Sequence, residues 1–253
     1  MRVLDVQKVY DPGCHCAFTD MIRWRGRLYI ACREALNHSV HPSGQIVILC
    51  SANHGQTWQP HARLSAPGMD LRGPKFQQLP GVDLRDPHFY RASGKLGLII
   101  PAWQLPDPDR GCAVPDATRT VFFAHSDDGQ HWELNEHRNL GGRTLWRPRV
   151  GPDGKLYVVA YGSKTDEKRS DYQTMLMRSD DGSAWEEVGL IHTVDRSNET
   201  DLCFMPDGEL LALVRREDQQ GRPLIASARP PYTDWTKVEC DEHLKGPLLE
   251  RLP

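Results

Sequence analysis

The sequence predicts an all-β chain folded as a β-propeller of four-stranded antiparallel blades. The first observation is a turn signature that occurs three times, at Ser51-Ala-Asn-His-Gly-Gln-Thr-Trp58, His125-Ser-Asp-Asp-Gly-Gln-His-Trp132 and Arg178-Ser-Asp-Asp-Gly-Ser-Ala-Trp185. The second is the apolar run before each copy: Ile46 to Cys50, Val121 to Ala124 and Met175 to Met177. The third is a hairpin ahead of each signature, most plainly Pro152-Asp-Gly154 and Pro206-Asp-Gly208 between alternating apolar stretches. A short polar side chain can accept backbone N–H bonds in a turn, and Gly supplies the positive φ. A supersecondary unit repeated at this spacing indicates an array of small sheets.

Each unit is read in order. Strands one and two come from Phe18 to Arg33, Leu84 to Ile100, Trp146 to Tyr161 and Glu199 to Arg215. Strands three and four flank the turn signature, and its Trp (58, 132 and 185) starts the return strand. A degenerate fourth copy is Tyr232-Thr-Asp-Trp235. The nine residues from Lys245 to Pro253 read as the first strand of a fifth unit that stops before its turn. The expectation is therefore one domain over 1–253, about four blades plus that strand, truncated at its C-terminus. A closed four-bladed ring with a tail is the alternative.

Composition narrows the function classes. Formal net charge is −3 and pI about 6.4, which gives no whole-chain reason to expect nucleic acid or a membrane as partner. The N-terminal residues show no apolar core of a signal peptide, so a cytoplasmic setting is expected. Seven cysteines, an odd number, several of them in apolar runs, read as reduced and mostly buried thiols. Cys14-His15-Cys16 lacks a second pair at zinc spacing, and His38-Ser-Val-His41 reads as a polar loop. No metal and no cofactor are expected, although loop carboxylates leave calcium open.

In an antiparallel blade the start of strand one and the end of strand two share an edge. Strand-one starts hold Asp20, Arg85, Asp86, Arg147 and Glu199; strand-two ends hold Arg33, Trp103, Tyr161, Arg215 and Arg216. These side chains are expected on one rim around the axis. Guanidinium groups, carboxylates and aromatic rings there suit a carboxylated sugar. Each also has a bland reading: an Arg85–Asp86 pair capping a strand entry, Trp103 as packing, Arg216 in a solvated loop.

The repeated turns resemble the Asp-box, or BNR repeat, of the sialidase superfamily, whose pattern is Ser/Thr-x-Asp-x-Gly-x-x-Trp. In the frame read here the first position is Ser51, His125 and Arg178, so one copy keeps the hydroxyl. Phe18 to Arg33, Leu84 to Pro87, Asn198 to Arg216 and Pro230 to Trp235 also resemble bacterial six-bladed sialidase-like propellers. The resemblance implies an exo-α-sialidase-type glycoside hydrolase with a glycan substrate. It implies Glu199 with Arg215 or Arg216 as a catalytic Glu and an arginine contact, Arg33 and Arg85 as further contacts, and Asp86 or Asp20 as acid/base. The family's Phe/Tyr-Arg-Ile-Pro motif is not seen here, and nothing matches Tyr161 to the family's Tyr nucleophile. A non-catalytic glycan-binding propeller and a protein-interaction propeller are the alternatives.

Overall fold

The computed structural model describes residues 5–66, 81–107, 111–112, 118–137, 140, 142–163, 172–218 and 221–251. Every regular element among them is a β-strand. Blade 1 runs β1 (His15–Trp24), β2 (Arg27–Ala35), β3 (Gln45–Ser51) and β4 (Gln59–Leu64). Blade 2 holds β5 (Val82–Leu84), β6 (His88–Ala92), β7 (Lys95–Gln104), β8 (Thr118–Ser126) and β9 (Glu133–His137). Blade 3 holds β10 (Thr144–Leu145), β11 (Arg149–Val150), β12 (Leu156–Gly162), β13 (Gln173–Ser179) and β14 (Glu186–His192). Blade 4 runs β15 (Ser197–Phe204), β16 (Leu210–Arg216), β17 (Leu224–Ala228) and β18 (Thr236–Glu239). Among the described residues every strand pairing is antiparallel, between successive strands or, at the split inner strands, β5 with β7 and β10 with β12, giving the four-bladed propeller arrangement.

The inner strand of every blade departs from regular pairing partway along. In blades 2 and 3 it is split, into β5 and β6 at Asp86-Pro87 and into β10 and β11 at Arg147-Pro148. Proline brings no N–H to the ladder, so the split falls where the sequence cannot pair. In blades 1 and 4 the register shifts between Ala17 and Asp20 and between Ser197 and Thr200. Such bulges re-aim side chains, and they set the direction of Phe18 and Glu199.

The turns show how the signature works, and they correct the frame read from sequence. In the first copy, Ser51 Oγ accepts the Gly55 N–H and Asn53 Oδ1 accepts the Thr57 N–H, both at 2.9 Å. In the second, Ser126 Oγ accepts from Gly129, and Asp128, not Asp127, accepts from Gln130 and His131. In the third, Ser179 Oγ accepts from Gly182, and Asp181, not Asp180, accepts from Ser183. All three copies therefore keep the hydroxyl; the later two are one residue shorter between acid and Gly. Asp127 and Asp180 instead face Lys95 and Lys155. Each Trp closes its turn by donating Nε1–H to the Gly carbonyl, at 3.0, 3.0 and 3.2 Å.

Blades are joined through shared apolar clusters. One contains Trp24, Ile46 and Ile48 of blade 1 with Leu84, Leu98 and Phe122 of blade 2. A second links Ile99 and Val121 to Leu156 and Val158, and a third links Tyr157 and Val159 to Leu202 and Ala212. A tyrosine reaches across two of these junctions. Tyr29 lies against Gly129 of the next blade and Tyr90 against Gly182, so close that a Cβ on either Gly would meet the hydroxyl at 2.7 and 2.9 Å.

Two further expectations are corrected. Residues 245–251 form no strand; their backbone is pinned to the inner strands by polar contacts instead, with the Leu249 N–H on Asp201 and the Leu249 carbonyl on Arg149. All seven cysteines are free thiols, but only Cys32 and Cys50 are buried, because Cys16 sits at an outward position of edge strand β1 and the remainder are half-buried.

Candidate functional site

Strand register places four residues at matching positions around the ring. Leu28, Leu96, Leu156 and Leu210 each pair with the residue that ends strand three of their blade. Five residues on stand Arg33, Pro101, Tyr161 and Arg215. Arg215 and Glu199 form an ion pair at 2.9 Å, each about one-fifth exposed, with Glu217 a second, longer partner of Arg215 at 3.7 Å.

Tyr161 lies within the charge of both Glu199 and Asp86, and Asp86 within that of Glu199. Burial is the main reason the Asp86 carboxyl is pushed up to about 7; Arg85 opposes this and Glu199 adds to it. Burial, then Glu199 and Asp86, hold the Tyr161 hydroxyl well above its ordinary value, against Arg119. Glu199 is also raised, by burial first, with Arg215 opposing. Asp86 has a positive φ of 41°, a strained backbone for a residue with a side chain. Three groups with raised protonation and one strained backbone thus gather where two inner strands are irregular.

The other residues expected on the rim divide into separate groups. Arg33 is completely buried and grips Asp83 with Nε and Nη2, at 2.8 and 2.9 Å. Its remaining contacts are the carbonyls of Asn37 and Ser39, so no edge faces solvent. Arg85 borders this pair, donates to the His38 carbonyl at 3.0 Å, and lies over the Phe18 ring. Asp20 is not with Asp86: it accepts from Arg147 and from the Phe89 N–H. Arg147 in turn bridges to Asp201, which also takes a two-point contact from Arg149. Arg216 is buried on the far side of β16 from Arg215, held by Asp195 at 3.0 Å, Glu239 at 2.5 Å and the Arg222 carbonyl. Trp103 carries a cation over its ring, the Arg119 guanidinium at 5.0 Å.

Sequence reasoning passed over Arg119, Tyr172, Asp83 and Asp201. Arg119 also lies over Tyr172, donates to its hydroxyl and to the Gly142 carbonyl, and stands by Tyr161. Asp201 carried a usable signal: a carboxylate in the middle of an apolar inner strand needs a buried cation, and Arg147 and Arg149 are that cation pair.

The arrangement is a four-bladed β-propeller with an acid-, phenol- and arginine-lined group at one end of its inner strands. No protein-family model matches the chain, and no curated protein matches it. Solved structures do match. A protein of unknown function from Dyadobacter fermentans superposes with a TM-score of 0.71 at 17% identity, over 90% of this chain and 70% of that one. The Hadza microbial sialidase Hz136 gives 0.66 at 19%, over 90% and 47%. The NanB sialidase of Streptococcus pneumoniae gives 0.66 at 12%, over 93% and 54%. The chain thus spans about half the length of those two sialidases, and likeness at such identity is likeness of fold.

Proposed function

We propose that this chain carries the site of a glycoside hydrolase of the exo-sialidase type, acting on a terminal anionic sugar. The observation that carries the reading is the placement of Tyr161 within the charge of both Glu199 and Asp86, with Arg215 on Glu199 at 2.9 Å. Sialidases recur among the matching solved structures, which supports the same chemistry.

In this reading Asp86, half-protonated near neutral pH, is the general acid that gives its proton to the leaving glycosidic oxygen. The Tyr161 oxygen forms the new bond to the anomeric carbon as the aglycone bond breaks, and Glu199 takes the phenolic proton. Water, deprotonated by Asp86, then attacks the anomeric carbon as its bond to Tyr161 breaks, and Glu199 returns the proton to the phenolic oxygen. A neutral phenol avoids the repulsion a carboxylate nucleophile would meet from an anionic substrate. Arg215 and Arg119 supply the cations for the sugar's carboxylate. Arg33, Arg147 and Arg216 are spent on internal carboxylates and have no part in it.

A second reading, a glycan-binding propeller without turnover, is favoured by one observation: two carboxylates beside Tyr161 oppose its ionisation. Hydrolysis of a fluorogenic sialoside, run beside calorimetry with N-acetylneuraminic acid, separates the two. Turnover lost in Glu199→Gln supports the enzyme. Binding without turnover supports the second reading, and neither response in folded protein removes both.

A further inference from the structure

The junction of blades 2 and 3 holds a pocket of about 420 Å³, walled by Tyr90 and Phe123, floored by Gly97 and rimmed by Asn135, Glu136 and Asp181. None of these residues belongs to the group around Glu199. The pocket has a structural origin that the blade 1–blade 2 junction makes visible. By register Gly97 stands where blade 1 has Tyr29, because Leu28 pairs with Ser51 and Leu96 with Ser126. In blade 1 Tyr29 rises from its own strand and packs against His61 of strand four, with ring centroids 5.8 Å apart. In blade 2 the tyrosine comes from the neighbouring strand: Tyr90 pairs with Gly97 and lies across it, so that a Cβ on Gly97 would sit 2.2 Å from the ring. Strand four carries Asn135 opposite Phe123, a short polar side chain, where blade 1 has Ala62 opposite Ile48 with His61 bulged beside it. The volume that two rings fill at the first junction is therefore open at the second.

Its chemistry selects among ligands. The walls are aromatic, which suits the C–H face of a sugar ring. The rim presents two carboxylates and an amide, acceptors for sugar hydroxyls. The bordering basic side chains are already engaged, Lys95 with Asp127 at 3.3 Å and His125 with Glu133 at 2.9 Å. The Asp181 carboxylate then repels an anion. Burial, with the Asp181 charge behind it, pushes the Tyr90 hydroxyl up to about 12, so it remains a neutral hydrogen-bonding group across the working pH range.

We infer that this pocket is a second carbohydrate site, specific for neutral, hydroxyl-rich sugars and separate from the anionic-sugar site proposed at the inner strands. It does not rest on that proposal, since neither its residues nor its ligand class are shared with it.

The test uses the whole chain and a set of neutral probes: lactose, maltose, cellobiose and methyl α-mannoside, with N-acetylneuraminic acid for contrast. Binding is followed by amide chemical-shift changes. At least one neutral probe is expected to saturate and to move the Gly97 and Gly182 amides, while the anionic sugar leaves them in place. Asn135→Phe, which refills the pocket as the first junction is filled, is expected to weaken that probe by at least about tenfold. Glu199→Gln is expected to leave it unchanged. The inference is overturned if no neutral probe saturates, if the shifts lie elsewhere, or if a folded Asn135→Phe binds as well as wild type. Should that variant fail to fold, the position of the shifts in the unaltered protein decides.

Discussion

Arg33 and Asp83, fifty positions apart in sequence, meet in a two-point ion pair from which water is wholly excluded. Gly44 lies so close that a Cβ there would overlap Asp83 Oδ1, at 1.6 Å. The pair ties the end of β2 to the entry of blade 2, and it has no freedom to serve a ligand. Arg33→Ala leaves the buried Asp83 carboxylate with only the His41 N–H and the more distant Arg85, and is expected to cost about 3–5 kcal/mol of stability. Denaturant unfolding measures this. A variant that unfolds like wild type but loses glycan binding would return Arg33 to the ligand site.

Glu199→Gln removes the proton acceptor while preserving shape. A fall of about 10²–10⁴-fold in sialoside turnover is expected, with the melting temperature nearly unchanged. Turnover and thermal melting, measured on one preparation, check both halves.

The raised Asp86 carboxyl makes stability depend on pH with a definite sign. The native state holds this proton more tightly than the unfolded chain, whose carboxyl titrates near ~4. Asp86 therefore lowers stability progressively as pH rises from that range through about 7. Asp86→Asn is expected to melt higher than wild type at pH 8, with the difference shrinking at pH 5. As general acid, Asp86 should also set an alkaline limb near pH 7 in the rate profile, which the variant loses together with most of its rate.

Trp185 closes the third turn and stacks on Phe123 at 6.2 Å. Trp185→Ala should lower stability by roughly 2 kcal/mol, below the range for a fully buried ring, and leave ligand affinity at the inner strands alone. Calorimetric melting and a binding titration test the two parts separately.

The sequence made the blades legible because hairpin turns are local: Gly, Asp and Trp within eight residues state their own geometry. It left the frame of two turns ambiguous, since Ser-Asp-Asp-Gly offers two acids and only the backbone chooses Asp128 and Asp181. It also could not sort the arginines. Arg33 and Arg215 end equivalent strands and both precede an acid within two residues, yet one is sealed on Asp83 and the other faces Glu199. The partner that decides each case is remote in sequence or lies within a strand bulge, and neither leaves a local pattern.

The forward reach of Tyr29 to Gly129 and of Tyr90 to Gly182 gives the ring a direction of assembly. Blades 1 and 2 each finish their own core only after the following turn exists. On the ribosome, a nascent chain would thus carry its newest blade unlatched until the next has emerged, and ordering would proceed vectorially from the N-terminal end. Arrested chains ending just before and just after Gly129 should differ sharply in protease resistance at blade 1, with the longer one protected.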